Sequence, residues 1–304
     1  MSEPLQFHTV DVFTQKQFAG NPLAIVEGAD GLDTATMQTI AREFNLSETI
    51  FIQTPEDPEH TAKVRIFFPT DEIPFAGHPT IGCAIHLAMK KNPGNKNFSE
   101  LITLEEVAGL VPVHVQCQRG LCIAQFTAPV VPYAAPGKNP SVEMAAAALG
   151  LEPEDIGFDA HQPRQWQGGP TFLYVPVNSI AALERAKPKE PHWARMEEHS
   201  SVFSTYIYTN LAGSNAGFQA RMYAPSAGIA EDAATGSASA ILAAQLLDAG
   251  ELSDGTNSYN LRQGYEMGRP SDIGLEVDVE DGKITAVRIS GSSVPVSSGQ
   301  LTVT

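Results

Sequence analysis

Three short stretches of this chain hold side chains that could bind an anion and move a proton. The first is Pro74-Phe75-Ala76-Gly77-His78-Pro79-Thr80, where Gly77 permits close backbone approach to a ligand and His78 stands at the mouth of an apolar helix. The second is Glu231-Asp232-Ala233-Ala234-Thr235-Gly236-Ser237-Ala238, two acids and then small residues opening another apolar helix. The third is Glu48, in Asn45-Leu46-Ser47-Glu48-Thr49. Each has a plainer reading. Gly-His-Pro also serves as a loop-to-helix junction, and the Asp-Thr-Ser run as a helix cap. Glu48 also fits a solvated loop, because Glu is seldom buried without a partner. The first two stretches nevertheless occupy matching ends of matching helices while carrying different polar residues. A duplicated scaffold needs the helix twice, but it does not need His in one copy and Asp232 with Ser237 in the other. That difference suggests one asymmetric site shared by two halves.

The elements that position these residues are written twice. Shifting Arg65–Ala88 by 156 positions places Arg65 on Arg221, Phe67 on Tyr223, Pro69 on Pro225, Thr70 on Ser226 and Ile73 on Ile229. Each copy reads as an alternating strand (Lys63–Phe68; Phe218–Ala224), a Pro-Thr/Ser turn, a small-residue loop and an apolar helix (Pro79–Lys91; Gly236–Asp248). Such a period is a domain-sized duplication, far beyond the ~20–50 residues of a solenoid repeat. A helix N-terminus presents unpaired N–H groups and the positive end of a dipole, so two that face one another would hold a small anion.

Other elements are legible from spacing. Met37, Ile40, Ala41 and Phe44 give an amphipathic helix over Asp33–Phe44, capped by Asp33. Further strands are expected at Phe7–Phe13, Leu23–Val26, Thr49–Gln53, Val111–Gln116, Cys122–Thr127, Thr171–Val177, Phe203–Thr209 and Ile284–Ile289, with helices at Ser141–Leu149 and around Ser179–Ala186. The Pro-rich run Pro129–Pro140 reads as a linker. The fold class is therefore α/β (α+β), two similar halves, each a curved sheet wrapped round a central apolar helix. The expected halves are 1–128, completed by a strand at 293–304, and 129–292.

Composition narrows the function. A net charge of −16 over 304 residues disfavours sequence-independent binding to nucleic acid or an anionic membrane, although local N–H groups can still hold an anionic substrate. No run approaches the ~18 apolar residues of a membrane span, and the N-terminus lacks a signal-peptide pattern, so cytoplasm is the expected location. Cys83, Cys117 and Cys122 are an odd count without CxxC spacing, from which neither a disulfide framework nor a zinc site is expected. No HExxH pattern, GxGxxG or GxSxG elbow is present, and a metal is not expected. Trp166, Tyr174, Tyr206 and Tyr208 are candidates to line the site.

Taken together and in order, Asp11-Val12-Phe13 with Gly20-Asn21-Pro22, Asn45-Leu46-Ser47-Glu48-Thr49, Arg65-Ile66-Phe67 leading to Ala76-Gly77-His78-Pro79-Thr80, and the Asp232–Ser237 loop resemble the PhzF family. These are phenazine-biosynthesis-like isomerases with the diaminopimelate epimerase fold. The resemblance implies a homodimer acting on a small carboxylic acid in an interdomain cleft without a cofactor. Glu48 resembles the family's general acid/base, and His78 and Asp232 resemble its substrate-orienting residues. Gly77, Gly236 and Ser237 resemble the group holding the substrate carboxylate. Ala233 departs from a frequent Pro. Epimerases of the wider superfamily resemble one another in placing a Cys at each helix-opening loop, and neither loop here has one. A single carboxylate implies a proton shift and not racemisation. Removal of Glu48 from water would raise its pKa toward working pH. A non-catalytic family member that binds small acids or another protein is the alternative.

Overall fold

The computed structural model of the chain describes residues 4–211 and 217–303. It divides into two compact units, Met1–Thr127 with Ser290–Thr304, and Ala128–Ile289. The first unit runs β1 (Leu5–Val12), β2 (Asn21–Val26), α1 (Thr34–Phe44), β3 (Glu48–Gln53), β4 (Ala62–Phe67), β5 (Glu72–Ile73), α2 (Gly77–Lys91), β6 (Phe98–Glu106), β7 (Gly109–Gln118) and β8 (Leu121–Thr127). The second runs β9 (Tyr133–Ala134), α3 (Val142–Leu149), β10 (Arg164–Gln167), β11 (Thr171–Pro176), α4 (Ile180–Arg185), α5 (His192–Ser200), β12 (Thr205–Asn210), β13 (Gly217–Ala224), β14 (Ile229–Asp232), α6 (Gly236–Asp248), β15 (Gly255–Gln263) and β16 (Ser271–Glu280). The final strand, β17 (Lys283–Leu301), begins in the second unit and ends in the first.

The two units have one wiring diagram. In the first, β1 is antiparallel to β2, β2 parallel to β3, β3 antiparallel to β4, β4 parallel to β6, and β6 antiparallel to β7. In the second, β10–β11, β11–β12, β12–β13, β13–β15 and β15–β16 follow the same sequence of directions. A two-residue strand, β5, and a four-residue one, β14, fold back on β4 and β13 just before the apolar helix of each unit. The C-terminal part of β17 pairs with β1, and β17 also pairs with β8, closing an eight-stranded ring. The sequence reading expected separate strands at Ile284–Ile289 and 293–304 where β17 is continuous. It also missed β6, β15, β16 and α5, whose polar outward faces dilute the apolar signal.

The helix inside the first ring is α2. It packs against β1, β2, β3, β6, β7 and β8, and every residue from Gly77 to Ile85 is buried. In the second unit α6 packs against β9, β10, β11 and β16, with ten of its residues buried. Neither helix has a polar stripe along its buried turns, and solvent reaches them mainly toward their C-terminal ends. The amphipathic helices lie outside the sheets. Met37 and Ala41 of α1 join Val26, Phe51 and Phe67 in one apolar cluster, while α3, α4 and α5 bury Ala145, Leu183 and Trp193 against Leu173, Val175 and Ile207. Asp33 caps α1 by accepting from Thr36 N at 2.8 Å, an arrangement typically worth ~1 kcal/mol.

The duplicated Arg has a structural task. Arg65 forms a paired contact with Glu72 on β5 and lies 5.2 Å over the Phe67 ring, and Arg221 pairs with Glu231 on β14 and lies 5.2 Å over Tyr223. Arg221 additionally donates to the Leu183, Glu184 and Ala186 carbonyls at 3.0–3.1 Å, satisfying the end of α4. Each Arg thus ties its short strand to the strand before it and sets where the following loop begins.

One expectation is corrected. Cys117 and Cys122 are cross-strand partners of β7 and β8 with Cα atoms 4.0 Å apart, and they are joined by a disulfide. The odd cysteine count hid this. Arg119 (φ 54) and Gly120 (φ 84) form a tight hairpin turn, and that turn sets the register that places the thiols opposite one another. Among the described residues no helix is long and apolar enough to cross a membrane.

Candidate active site

Glu48 and His78 come together within the first unit. Helix α1 ends at Asn45 in the left-handed region (φ 50), and the short Leu46-Ser47 turn makes Glu48 the first residue of β3, opposite Leu23 of β2. Glu48 is 8% exposed and His78 3%. His78 Nδ1 lies 3.2 Å from Glu48 Oε2. Burial pulls His78 down to about 3, against a smaller upward effect of a hydrogen bond with the Pro22 backbone. The ring is therefore neutral at neutral pH. It meets Glu48 as an uncharged imidazole and not as half of an ion pair.

Gly77 and His78 are the first two residues of α2. The cap residue Ala76 is extended (φ −150, ψ 135), and no side chain caps this end. Pro79 has no N–H to satisfy, as suits a first turn. The helix entrance thus presents backbone donors and a positive dipole end beside the Glu48 carboxyl.

Beneath this entrance lies a residue that the sequence reading missed. Glu106 ends β6, is 7% exposed, and has Oε1 2.7 Å from Thr80 Oγ1, which also lies 2.8 Å from the Ala76 carbonyl. Burial pushes Glu106 up to about 8, only partly offset by its bond with Thr80. A threonine hydroxyl has a single hydrogen to donate. Both short contacts are satisfied when Glu106 is protonated and donates to Thr80 Oγ1, which in turn donates to Ala76 O. This relay fixes the residue immediately before Gly77. The signal was in the sequence. Ile102, Leu104 and Glu106 share one face at period two, an acid in phase with apolar neighbours.

Asp232, Gly236 and Ser237 come together in the second unit. Asp232 ends β14 and is 8% exposed, and its Oδ2 accepts from Thr235 Oγ1 at 2.6 Å. Gln263 clamps the loop from below. Its Nε2 donates to Asp232 O and to Thr235 Oγ1, each at 2.9 Å, and its Oε1 accepts from Thr235 N at 3.1 Å. Ser271 Oγ donates to Ala233 O at 2.9 Å. Gly236 starts α6, no side chain caps that helix, and Ser237 is half-buried at its second position. Gln263 was missed as well, although it too lies in phase with a buried neighbour, Leu261.

Three of the four aromatic residues expected to line the site belong to the core, and Trp166 is half-buried. Tyr174, Tyr206 and Tyr208 are fully buried, and Tyr174 Oη donates to Ala238 O at 2.6 Å, bracing the first turn of α6. Trp166 Nε1 donates to Gln245 Oε1 at 2.5 Å further along the same helix. Cys83 is buried in α2, where burial and the nearby Glu106 and Glu27 carboxyls raise its thiol, so it is no ready thiolate base. A wide cavity of about 830 Å³ in the first unit is lined by Asp57, His60, Lys63, Glu105 and Val107 among others, and includes neither Glu48 nor His78. It is an open surface groove outside the paired cluster.

Comparison with known proteins places this geometry in a family. The family model for phenazine biosynthesis-like proteins, PhzC-PhzF, matches residues 10–299. The chain is similar to an uncharacterized isomerase of Mesorhizobium japonicum, with 39% identity over 295 residues and 96% of each chain covered. It is similar also to the trans-2,3-dihydro-3-hydroxyanthranilate isomerase of Pseudomonas chlororaphis, with 33% identity covering 96% of this chain and 97% of the relative. A solved structure of a PhzF-family phenazine biosynthesis protein from Bacillus anthracis matches with a TM-score of 0.85 and 25% identity, covering 99% of this chain and 100% of that one. A family match along nearly the whole length, an eight-stranded ring round a buried helix, and relatives named as isomerases agree: the chain belongs to the PhzF family of phenazine biosynthesis-like proteins and is an isomerase.

Proposed function

We propose that the protein shifts a proton between two carbons of a small amino or hydroxy carboxylic acid, using Glu48 as the single acid/base and no cofactor. The observation that carries this reading is the buried Glu48–His78 contact at 3.2 Å beside the uncapped entrance of α2. Glu48 takes a proton from a carbon next to the substrate's unsaturated system, the electron pair delocalises toward its carboxylate, and the same proton returns at another carbon on the same face. Nothing is oxidised or reduced and no group leaves. Positioned acid–base help of this kind is typically worth ~10²–10⁴-fold.

His78, held neutral, orients the substrate by hydrogen bonding and does not compete for the proton. Asp232, Gly236 and Ser237 open α6 in the second unit, where the helix N–H groups can hold a carboxylate as those of Gly77 and α2 can in the first. Each helix entrance favours a bound carboxylate by roughly 0.3–2 kcal/mol, and more of that appears as rate where negative charge grows in the transition state. Neither helix-opening loop contains a Cys, and Cys83 is buried with a raised pKa, which supports a one-carboxylate shift over thiolate stereoinversion. The Pseudomonas relative's named substrate, trans-2,3-dihydro-3-hydroxyanthranilate, makes a cyclic unsaturated amino acid of that kind the first compound to test.

The experiment is proton exchange in heavy water followed by NMR, for the wild type and Glu48→Gln. The wild type is expected to incorporate deuterium into the substrate, and Glu48→Gln to bind it without exchange. Exchange persisting in Glu48→Gln removes Glu48 from the mechanism. Binding without exchange by the wild type across a panel of cyclic carboxylic acids makes the protein a binding member of the family.

A further inference from the structure

A second cluster of chemically competent side chains lies at the other end of α2. Gly82 allows the helix to press against β1 and β2, since a Cβ there would stand 2.7 Å from Leu23 Cδ2 and 2.8 Å from Val12 Cγ2. One turn on, His86 therefore reaches the sheet. It meets His8 of β1 with ring centroids 4.5 Å apart, and Glu27, the residue after β2. His86 Nε2 is 2.7 Å and His8 Nε2 is 3.4 Å from the same oxygen, Glu27 Oε1. All three donor atoms lie within 4.8 Å of one another.

We propose that His8, Glu27 and His86 bind one divalent late first-row metal ion, such as zinc, at a site separate from Glu48 and His78. Two imidazoles and one carboxylate are the donor set of a tetrahedral zinc site with its fourth position open. Such ligands bonded at ~2.0–2.1 Å stand about 3.3 Å apart. The His8–Glu27 spacing already matches at 3.4 Å, and the His86–Glu27 contact needs to open by about half an ångström. A depression of about 250 Å³ lined by Val10, Ile85, Met89 and Pro295 opens beside His86 and has room for water as the fourth ligand.

Lys90 contacts the second oxygen of Glu27 and is 60% exposed. It stands in as the resident cation and can swing into solvent when a metal enters. The site lies eight residues along α2 from His78, roughly 12 Å at 1.5 Å per residue, so it acts on the helix and not on substrate.

The test is titration of the untagged full chain with zinc chloride by calorimetry, repeated with cobalt chloride to read the visible absorption of a tetrahedral ion. One ion per chain is expected for the wild type. His8→Gln and His86→Gln are each expected to weaken it at least tenfold, with circular dichroism verifying the fold. Lys90→Gln is expected to bind equally or more tightly. Absence of binding at millimolar zinc, unchanged affinity in both His variants, or loss of binding in Lys90→Gln alone overturns the assignment.

Discussion

Replacing Glu106 by Gln tests whether a protonated acid underlies the entrance to α2. The folded carboxyl is pushed up to about 8 from an ordinary 4.5 by burial. For an acid raised in this way, the stabilising contribution is fully present below the unfolded value of 4.5. It is lost as the pH climbs to about 8, because the unfolded chain releases its proton over that window while the folded chain keeps it. The slope is ~1.4 kcal/mol per pH unit and the full gap is worth roughly 5 kcal/mol. Gln stays neutral throughout and its amide donates to Thr80 Oγ1 as the acid does. E106Q should therefore match the wild type near pH 4.5 and exceed it by about 3 kcal/mol at pH 7. The measurement is urea unfolding at pH 5, 6, 7 and 8. It should be followed by circular dichroism, since both tryptophans, Trp166 and Trp193, lie in the second unit and fluorescence would report the wrong one. The difference between the two proteins at each pH cancels every other titrating group. Parallel stability curves from pH 5 to 8 would refute the protonated relay.

The remaining predictions concern packing and the duplicated Arg. Arg221→Ala leaves the Glu231 carboxylate without its partner and removes one donor each from the Leu183, Glu184 and Ala186 carbonyls, and is expected to cost about 3–5 kcal/mol. Arg65→Ala, at a side chain 20% exposed against 4% for Arg221, should cost nearer 1–2 kcal/mol; equal losses in denaturant melts would contradict this burial argument. Gly82→Ala would gain about 1 kcal/mol from helix propensity alone. Contact with Leu23 and Val12 below 3 Å reverses the sign, so a net loss of about 1–3 kcal/mol and a lower Tm are expected. A raised Tm would show that β2 yields at that point.

The candidate site residues stand out in the sequence because each has a local signature. Asp33 caps α1, Gly236–Asp248 forms the expected apolar helix, and Glu48, His78 and Asp232 sit in loops with composition distinct from their flanks. The structure brings Glu48 to His78 and Asp232 to Thr235. Buried partners left a weaker trace. Glu106 and Gln263 look like outward residues until strand phase is counted, and Tyr174, Tyr206 and Tyr208 look like site lining until the core is packed around them.

By itself the sequence determined the duplication, the two fully apolar helices and the polar residues that open them, because these depend on order and spacing along one segment. Only the tertiary structure decided which residues of β17 pair with β1, that Cys117 faces Cys122, and that His8, Glu27 and His86 converge. Those are meetings of residues distant in sequence or matched by strand register. They are set by which strand pairs with which and by how closely Gly82 lets a helix approach the sheet, and neither quantity leaves a local mark in the chain.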